Sequence, residues 1–178
     1  MQSYSFNPDL LRAKYKQERD KRLREDGNEQ YQEVSGDFSY FVDEPYINEE
    51  IERKALTDSY EIVIIGGGFG GVLAASRLKE AGFSDFKIIE KGGNFGGTWY
   101  WNRYPGASCD IESYIYFPLL EETKFIPGKK YTNAPETLEY FDVISEKFGL
   151  NEHAIFQTEV DNVRSVSYTH LRAHETDR

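Results

Sequence analysis

The sequence holds one cysteine, one methionine and three histidines in 178 residues. A single thiol, Cys109, cannot close an internal disulfide, so a disulfide-stapled scaffold is excluded and a reducing cytoplasm is the simplest compartment. No apolar run approaches the ~20 residues that a bilayer span requires, so a membrane is not an expected partner. The opening "MQSYSFNPDLLRAKYKQERDKR" lacks the apolar stretch of a secretory signal. Basic residues are scarce beside acidic ones, 21 against 31, which gives a net charge of -10. Such a chain repels a phosphate backbone, so nucleic acid is not an expected partner either. Internal repeats and low-complexity tracts are absent, and Cys109 has no histidine near it in sequence to make it a nucleophile. A small buried filler is the simpler role for that thiol.

The 39% of hydrophobic residues suffices for one folded domain. "NPDLLRAKYKQERDKRLREDG" reads as a charged helix with Asn7 as cap, Pro8 in the first turn and Gly27 as stop. Its few apolar positions suit a solvated helix on a larger body, or a partner-binding arm. A mixed polar and aromatic stretch with turn signals follows, an extended wrap as far as residue 58. The pattern then changes. "YEIVIIGGGFGG" is a β-branched run ending in glycines, and "VLAASRLKEAGF" has helical spacing with Leu73, Ala74, Leu78 and Ala81 on one side. "DFKIIEK" is a second buried strand. Strand, glycine turn, helix and strand make a βαβ unit, hence an α/β, Rossmann-like fold with a parallel sheet. "APETLEYFDVISEKFGL" is another helix, with Pro135 in its first turn, Gly149 as stop, and Leu138, Phe141, Ile144 and Phe148 on its apolar face. "AIFQTEVDNVRSV" reads as a strand or hairpin arm.

Gly66, Gly68 and Gly71 match G-x-G-x-x-G between a strand and a helix, and Glu90 follows Gly71 by 19 residues at the end of the next strand. Gly66 permits the tight turn, Gly68 lets backbone approach a pyrophosphate, and Gly71 lets helix pack close on strand. The helix N-terminus offers free N–H groups and partial positive charge to phosphates. A carboxylate at Glu90 takes a ribose hydroxyl and repels a 2′-phosphate, so the site suits FAD or NAD rather than NADP. The alternative is a structural turn with a strand-end glutamate.

"GGTWYWNRYPGASCDIESY", residues 96–114, comes directly after Glu90 and "KGGNFGG". Glycines let its backbone press on a ligand, while Trp99, Tyr100 and Trp101 supply flat surfaces with hydrogen-bonding tips. An extended, ring-bearing cofactor is the natural object for it to enclose.

From "GGGFGG", "IIEKGGNFGGTWYWNRYPGASCDIESYIY" and "APETLEYFDVISEKFGL", roughly residues 60–163, the chain resembles the N-terminal FAD-binding part of a Baeyer–Villiger monooxygenase of the flavin-containing monooxygenase superfamily. The resemblance implies FAD in this first nucleotide fold and NADPH in a second one. It implies a reaction in which a small-molecule ketone and O2 give an ester or lactone. It implies that Gly66, Gly68, Gly70 and Gly71 hold the pyrophosphate and Glu90 the ribose. Thr98, Trp99, Tyr100 and Trp101 would line the flavin side, with Asp110 and Tyr116 nearby, and Val160 would touch the adenine end through its backbone. Asp110 is the one residue implied to stand close to catalysis. Arg103 would neutralise a phosphate, pair with Asp110, or form a purely structural ion pair. No metal site is expected.

A second G-x-G-x-x-G, the signature between the two nucleotide folds and the active-site arginine are missing, so a truncated, inactive piece of a longer enzyme is expected. "VSYTHLRAHET", residues 166–176, resembles a translated sequencing adapter, and its His170 and His174 are set aside with it. The expected organisation is a helical extension and wrap over 1–58, an incomplete Rossmann-like domain over 59–164, and an adapter-derived tail over 165–178. Two other readings stand beside the first: an N- or S-oxidising flavin monooxygenase, and a non-catalytic dinucleotide-binding module. Oligomeric state, the ketone and regioselectivity are not readable from the chain.

Overall fold

The structure is a computed structural model, and it describes residues 7–31, 34–47, 49–167 and 170–175. The chain divides into two compact units, Met1–Glu44 and Pro45–Arg178.

In the first unit, helix α1 spans Pro8–Asp20. Asn7 Oδ1 accepts from the backbone N–H groups of Asp9 and Leu10 at 2.9 and 3.2 Å, and Pro8 fills the first turn. The helix stops well short of Gly27. No residue of it is buried, so propensity, the Asn7 cap and exposed ion pairs such as Arg12–Asp9 (3.1 Å) hold it. Each such pair contributes a few tenths of a kcal/mol, too little to carry the helix into a run where Lys21, Arg22 and Arg24 crowd together. Gly27 instead opens a 3-10 turn, Gly27–Gln30, and a second such turn spans Gly36–Phe41.

The second unit holds the α/β fold. Strand β1 (Ile62–Ile65), helix α2 (Phe69–Glu80) and strand β2 (Phe86–Ile89) form the expected βαβ unit, with β1 and β2 parallel and Ile62 opposite Phe86. The short helices α3 (Thr98–Trp101), α4 (Ser113–Tyr116) and α5 (Leu120–Thr123) follow, then the long α6 (Ala134–Phe148). Strand β3 (Ala154–Ile155) adds in parallel to β2, giving the sheet order β1-β2-β3. Strands β4 (Val160–Ser167) and β5 (His170–Glu175) make a separate antiparallel hairpin, so the tail set aside above pairs with the arm before it. Among the described residues, no helix is long and apolar enough to cross a membrane.

The core lies between the sheet, α2 and α6. Tyr140, Phe141 and Ile144 of α6 meet Val72 and Ala75 of α2 and Phe86 and Ile88 of β2. Phe69 stacks on Phe141 with centroids 4.2 Å apart, and Phe117 stacks on Tyr140 at 5.0 Å. Such pairs add about 0.5–1.5 kcal/mol each beyond the area they bury. Asn133 caps α6 by accepting from Glu136 N–H at 3.2 Å, and Gly149 ends it at φ +63°.

Three details differ from the sequence pattern. The buried line of α2 is Val72, Ala75 and Ser76, while Ala74 and Ala81 are exposed. Strand β1 is half-buried on one side only, for Val63 and Ile65 stand exposed while β2 is covered on both faces. His153, just before β3, is not a free surface residue: it stacks on Phe86 at 4.0 Å and packs its imidazole between Phe86 O and Lys79 Nζ.

A Cβ placed at Gly71 would stand 1.9 Å from the carbonyl oxygen of Gly66, and backbone cannot yield there. Gly71→Ala should therefore lower unfolding stability by about 3 kcal/mol or more in urea titrations. Gly70→Ala, where a Cβ meets open space, should change it by less than about 1 kcal/mol.

Candidate functional site

The site begins where β1 ends. Gly66 extends the ladder by donating its N–H to Ile89 O at 2.8 Å, then turns the chain at φ +96°. Gly67 follows with its N–H 2.5 Å from Glu90 Oε2. A Cβ at Gly67 would come within 2.8 Å of the Phe95 ring and 2.9 Å of that same oxygen. Gly68 caps α2, and a helix leaves its first N–H groups without intrahelical partners. Glu90 is buried, 5% exposed, and its other oxygen accepts from Gly92 N–H at 2.7 Å. A carboxylate offers about four acceptor positions, so each oxygen keeps one for a further donor such as a ribose hydroxyl.

The aromatic belt lies directly on this turn. Gly96 donates its N–H to Gly67 O at 3.0 Å. A Cβ at Gly97, which sits at φ +52°, would stand 2.7 Å from the Cα of Gly68. The chain then enters α3. Trp99 is buried, and its indole N–H donates to the Tyr116 hydroxyl at 3.2 Å. Thr98, Trp99, Asp110 and Tyr116 line one cavity of about 320 Å³, together with Asn102 and Cys109. The fold thus gathers four of the expected residues from positions 98 to 116, with the exposed Asp110 among the walls.

Tyr100 and Trp101 take other places. Tyr100 is turned inward, 3% exposed, with its hydroxyl accepting from Gly93 N–H at 2.9 Å. Trp101 packs edge-on to Tyr100 at 5.3 Å and does not line the cavity. Arg103 forms no ion pair with Asp110. Its guanidinium lies 4.0 and 4.5 Å from the ring centroids of Tyr46 and Tyr100, and its Nε–H donates to Tyr100 O. Two aromatic faces hold this cation better than one exposed carboxylate would. The backbone of Val160 begins β4 opposite Glu175. The segment just before it reaches Glu90 and Gly92, with Gln157 N–H on Gly92 O and Thr158 N–H on Glu90 O, both at 3.0 Å.

The returning loop is fastened to the start of α6. Cys109 N–H donates to Thr132 O at 2.8 Å and Ala134 N–H to Ala107 O at 2.9 Å. The buried hydroxyls of Ser113, Thr132 and Thr137 bond one another, and the Cys109 thiol lies 3.4 Å from Thr132 Oγ1. Glu112 reaches Lys130 Nζ at 2.5 Å and accepts from the Tyr114 hydroxyl. These contacts hold the Glu112 carboxyl below its ordinary 4.5 and push the Tyr114 phenol up. The hydroxyl cluster, Tyr46 and Gln157 carried no sequence signal, because each partner lies far away along the chain.

The comparisons with known proteins agree with this geometry. A family described as an NAD(P)-binding Rossmann-like domain matches residues 64–125. A Baeyer–Villiger monooxygenase of Stachybotrys chlorohalonatus is 43% identical over 97% of this chain and 28% of its own length. One from Streptomyces coelicolor is 41% identical over 94% of the chain and 28% of its own length. Among solved structures, the polycyclic ketone monooxygenase of Thermothelomyces thermophila superposes with a TM-score of 0.74 at 33% identity, over 94% of this chain and 30% of that one. OTEMO in complex with FAD and NADP gives a TM-score of 0.62 at 29% identity, over 69% of this chain and 24% of that one. The chain therefore spans somewhat more than a quarter of the curated relatives it matches. The resemblance carried by the tryptophan-rich segment extends along nearly the whole chain.

Two outcomes test this geometry. Glu90→Gln would turn an amide donor toward the Gly67 or Gly92 N–H and should cost about 1–3 kcal/mol of unfolding stability. The lowered pKa of Glu112 means its contribution is complete above about pH 4.5 and is lost as pH falls through the folded value. Thermal midpoints measured from pH 6 down to pH 3 should therefore fall less steeply in Glu112→Gln than in the wild type.

Proposed function

We propose that this chain, so similar to part of the Baeyer–Villiger monooxygenases, binds FAD and supplies the flavin-holding part of such an enzyme. The longer protein would use NADPH and O2 to convert a small-molecule ketone to an ester or lactone, in a reducing cytoplasm. One observation carries the reading: the belt rests on the glycine turn, Gly97 against Gly68, and the residues that follow Gly97 wall a cavity. The residues fit a dinucleotide. At Gly67, Gly71 and Gly97 any side chain would collide with protein, so the turn is held to bare glycine backbone.

In this reading, the turn from Gly66 to Gly71 and the N-terminus of α2 hold the diphosphate through N–H donors and the helix dipole. Glu90, fixed by two backbone amides, accepts from the ribose hydroxyls. Thr98, Trp99 and Tyr116 wall the flavin end and exclude water. Tyr100 and Trp101 act behind that wall by holding its backbone. Asp110 presents a carboxylate at the cavity, where it orients a cation contributed by another part of the enzyme. Val160 continues the adenine side of the cleft. Bound FAD would supply the redox and oxygen-transfer chemistry that protein side chains lack.

Gly68→Ala separates site from fold. A Cβ there meets only Gly97 Cα, at an ordinary 3.5 Å, so the chain should stay folded. The methyl group occupies the place of approaching phosphate, and retention of FAD through gel filtration should be lost. Unchanged flavin content in Gly68→Ala would contradict the placement of the diphosphate.

A further inference from the structure

Gln157 stands at φ +53°, a left-handed conformation rare for a residue with a side chain. Strain of this kind persists only where surrounding contacts impose it. Here the contacts come from both sides. Its backbone N–H donates to Gly92 O at 3.0 Å, beside the loop that begins at Glu90. Its side-chain amide faces the other way and imitates a neighbouring strand. Oε1 accepts from Ile51 N–H at 2.8 Å, and Nε2 donates to Glu49 O at 3.1 Å.

The segment it grips crosses the end of the cleft. Tyr46 packs edge-on to Tyr100 at 5.7 Å and takes the Arg103 guanidinium on its face. Ile47 lies so near that a Cβ at Gly93 would be 2.6 Å from its Cγ2. Arg53 donates to Phe156 O at 2.9 Å and also to the buried Thr158 hydroxyl. Thr158 N–H in turn bonds Glu90 O. Apart from the Arg103 contact, these end on 90–100 or 156–158, the two loops that flank the Glu90 carboxylate.

We infer that Gln157 is a positioning residue that clasps residues 49–51 across the cleft and thereby fixes the adenosine end of a bound dinucleotide. The inference rests on the proposed function above and deepens it. Gln157 holds the Gly92 carbonyl from one side while Gly92 N–H holds Glu90 from the other. Releasing the clasp frees the loop that aims the carboxylate, and leaves the glycine turn itself untouched.

The test uses two variants of the full 178-residue chain. Gln157→Gly removes the amide but adopts the left-handed backbone without strain. Arg53→Met removes the guanidinium and keeps an exposed side chain of similar length. Isothermal titration with FAD and with ADP, the adenosine half alone, should show both dissociation constants raised about tenfold by either variant. The nucleotide-free thermal midpoint should stay within about 2 °C of the wild type. Unchanged FAD affinity in either variant, unchanged ADP affinity, or a midpoint that falls in step with affinity overturns the inference. A wild-type chain that binds no FAD overturns the proposed function, and this inference with it.

Discussion

The second unit depends on one buried carboxylate. Glu90 closes β2, and its two oxygens bind the amides of Gly67 and Gly92, one at the end of each neighbouring turn. An ionised group is costly to bury unless its lone pairs are met, and charge-assisted bonds to backbone amides meet them well. The arrangement fixes the glycine turn after β1 relative to the glycine loop after β2. Those two loops meet across Gly96 N–H and Gly67 O at 3.0 Å, so the cleft is shaped before any ligand enters.

Glycine makes this geometry sterically possible at a few places only. Gly71 lies under the Gly66 carbonyl, and Gly97 lies on Gly68, with no room for a methyl group at either Gly71 or Gly97. The helix that starts at this turn leaves its first N–H groups without intrahelical partners. The rings then divide the labour. Trp99 and Tyr116 face the cavity, whereas Tyr100 props the Gly93 amide and carries Arg103 on its face. The hydroxyl cluster around Thr132 and the Glu112–Lys130 contact return the loop to α6, so the position of Asp110 is set by the core.

Much of this was legible in the chain because it is local. The βαβ unit follows from β-branched runs, a glycine turn and a helical spacing, and α6 from Pro135, Gly149 and its apolar face. The gathering of Thr98, Trp99, Asp110 and Tyr116 was legible from family resemblance and not from periodicity. Long-range choices left no trace. The face that α2 buries is set by α6 and the sheet, which selects Val72, Ala75 and Ser76 over Ala74 and Ala81. Arg103 offered a plausible acidic partner nearby in sequence, yet two tyrosines 57 and 3 residues away took it. The early end of α1 follows from the lack of any buried face, which a cap and a stop glycine cannot replace. The exposure of Val63 and Ile65 on one face of β1 depends on which elements pack there, which a β-branched run does not encode.

The central claim is that the glycine turn and Glu90 hold a dinucleotide whose flavin lies against Trp99. Amide NMR of the isotopically labelled chain during titration with FAD tests it most directly. The account predicts that the resonances of Gly67, Gly68 and Gly92 move together, while indole fluorescence is quenched with the same midpoint. Shifts confined to other parts of the chain, or quenching with those three amides unmoved, would contradict it.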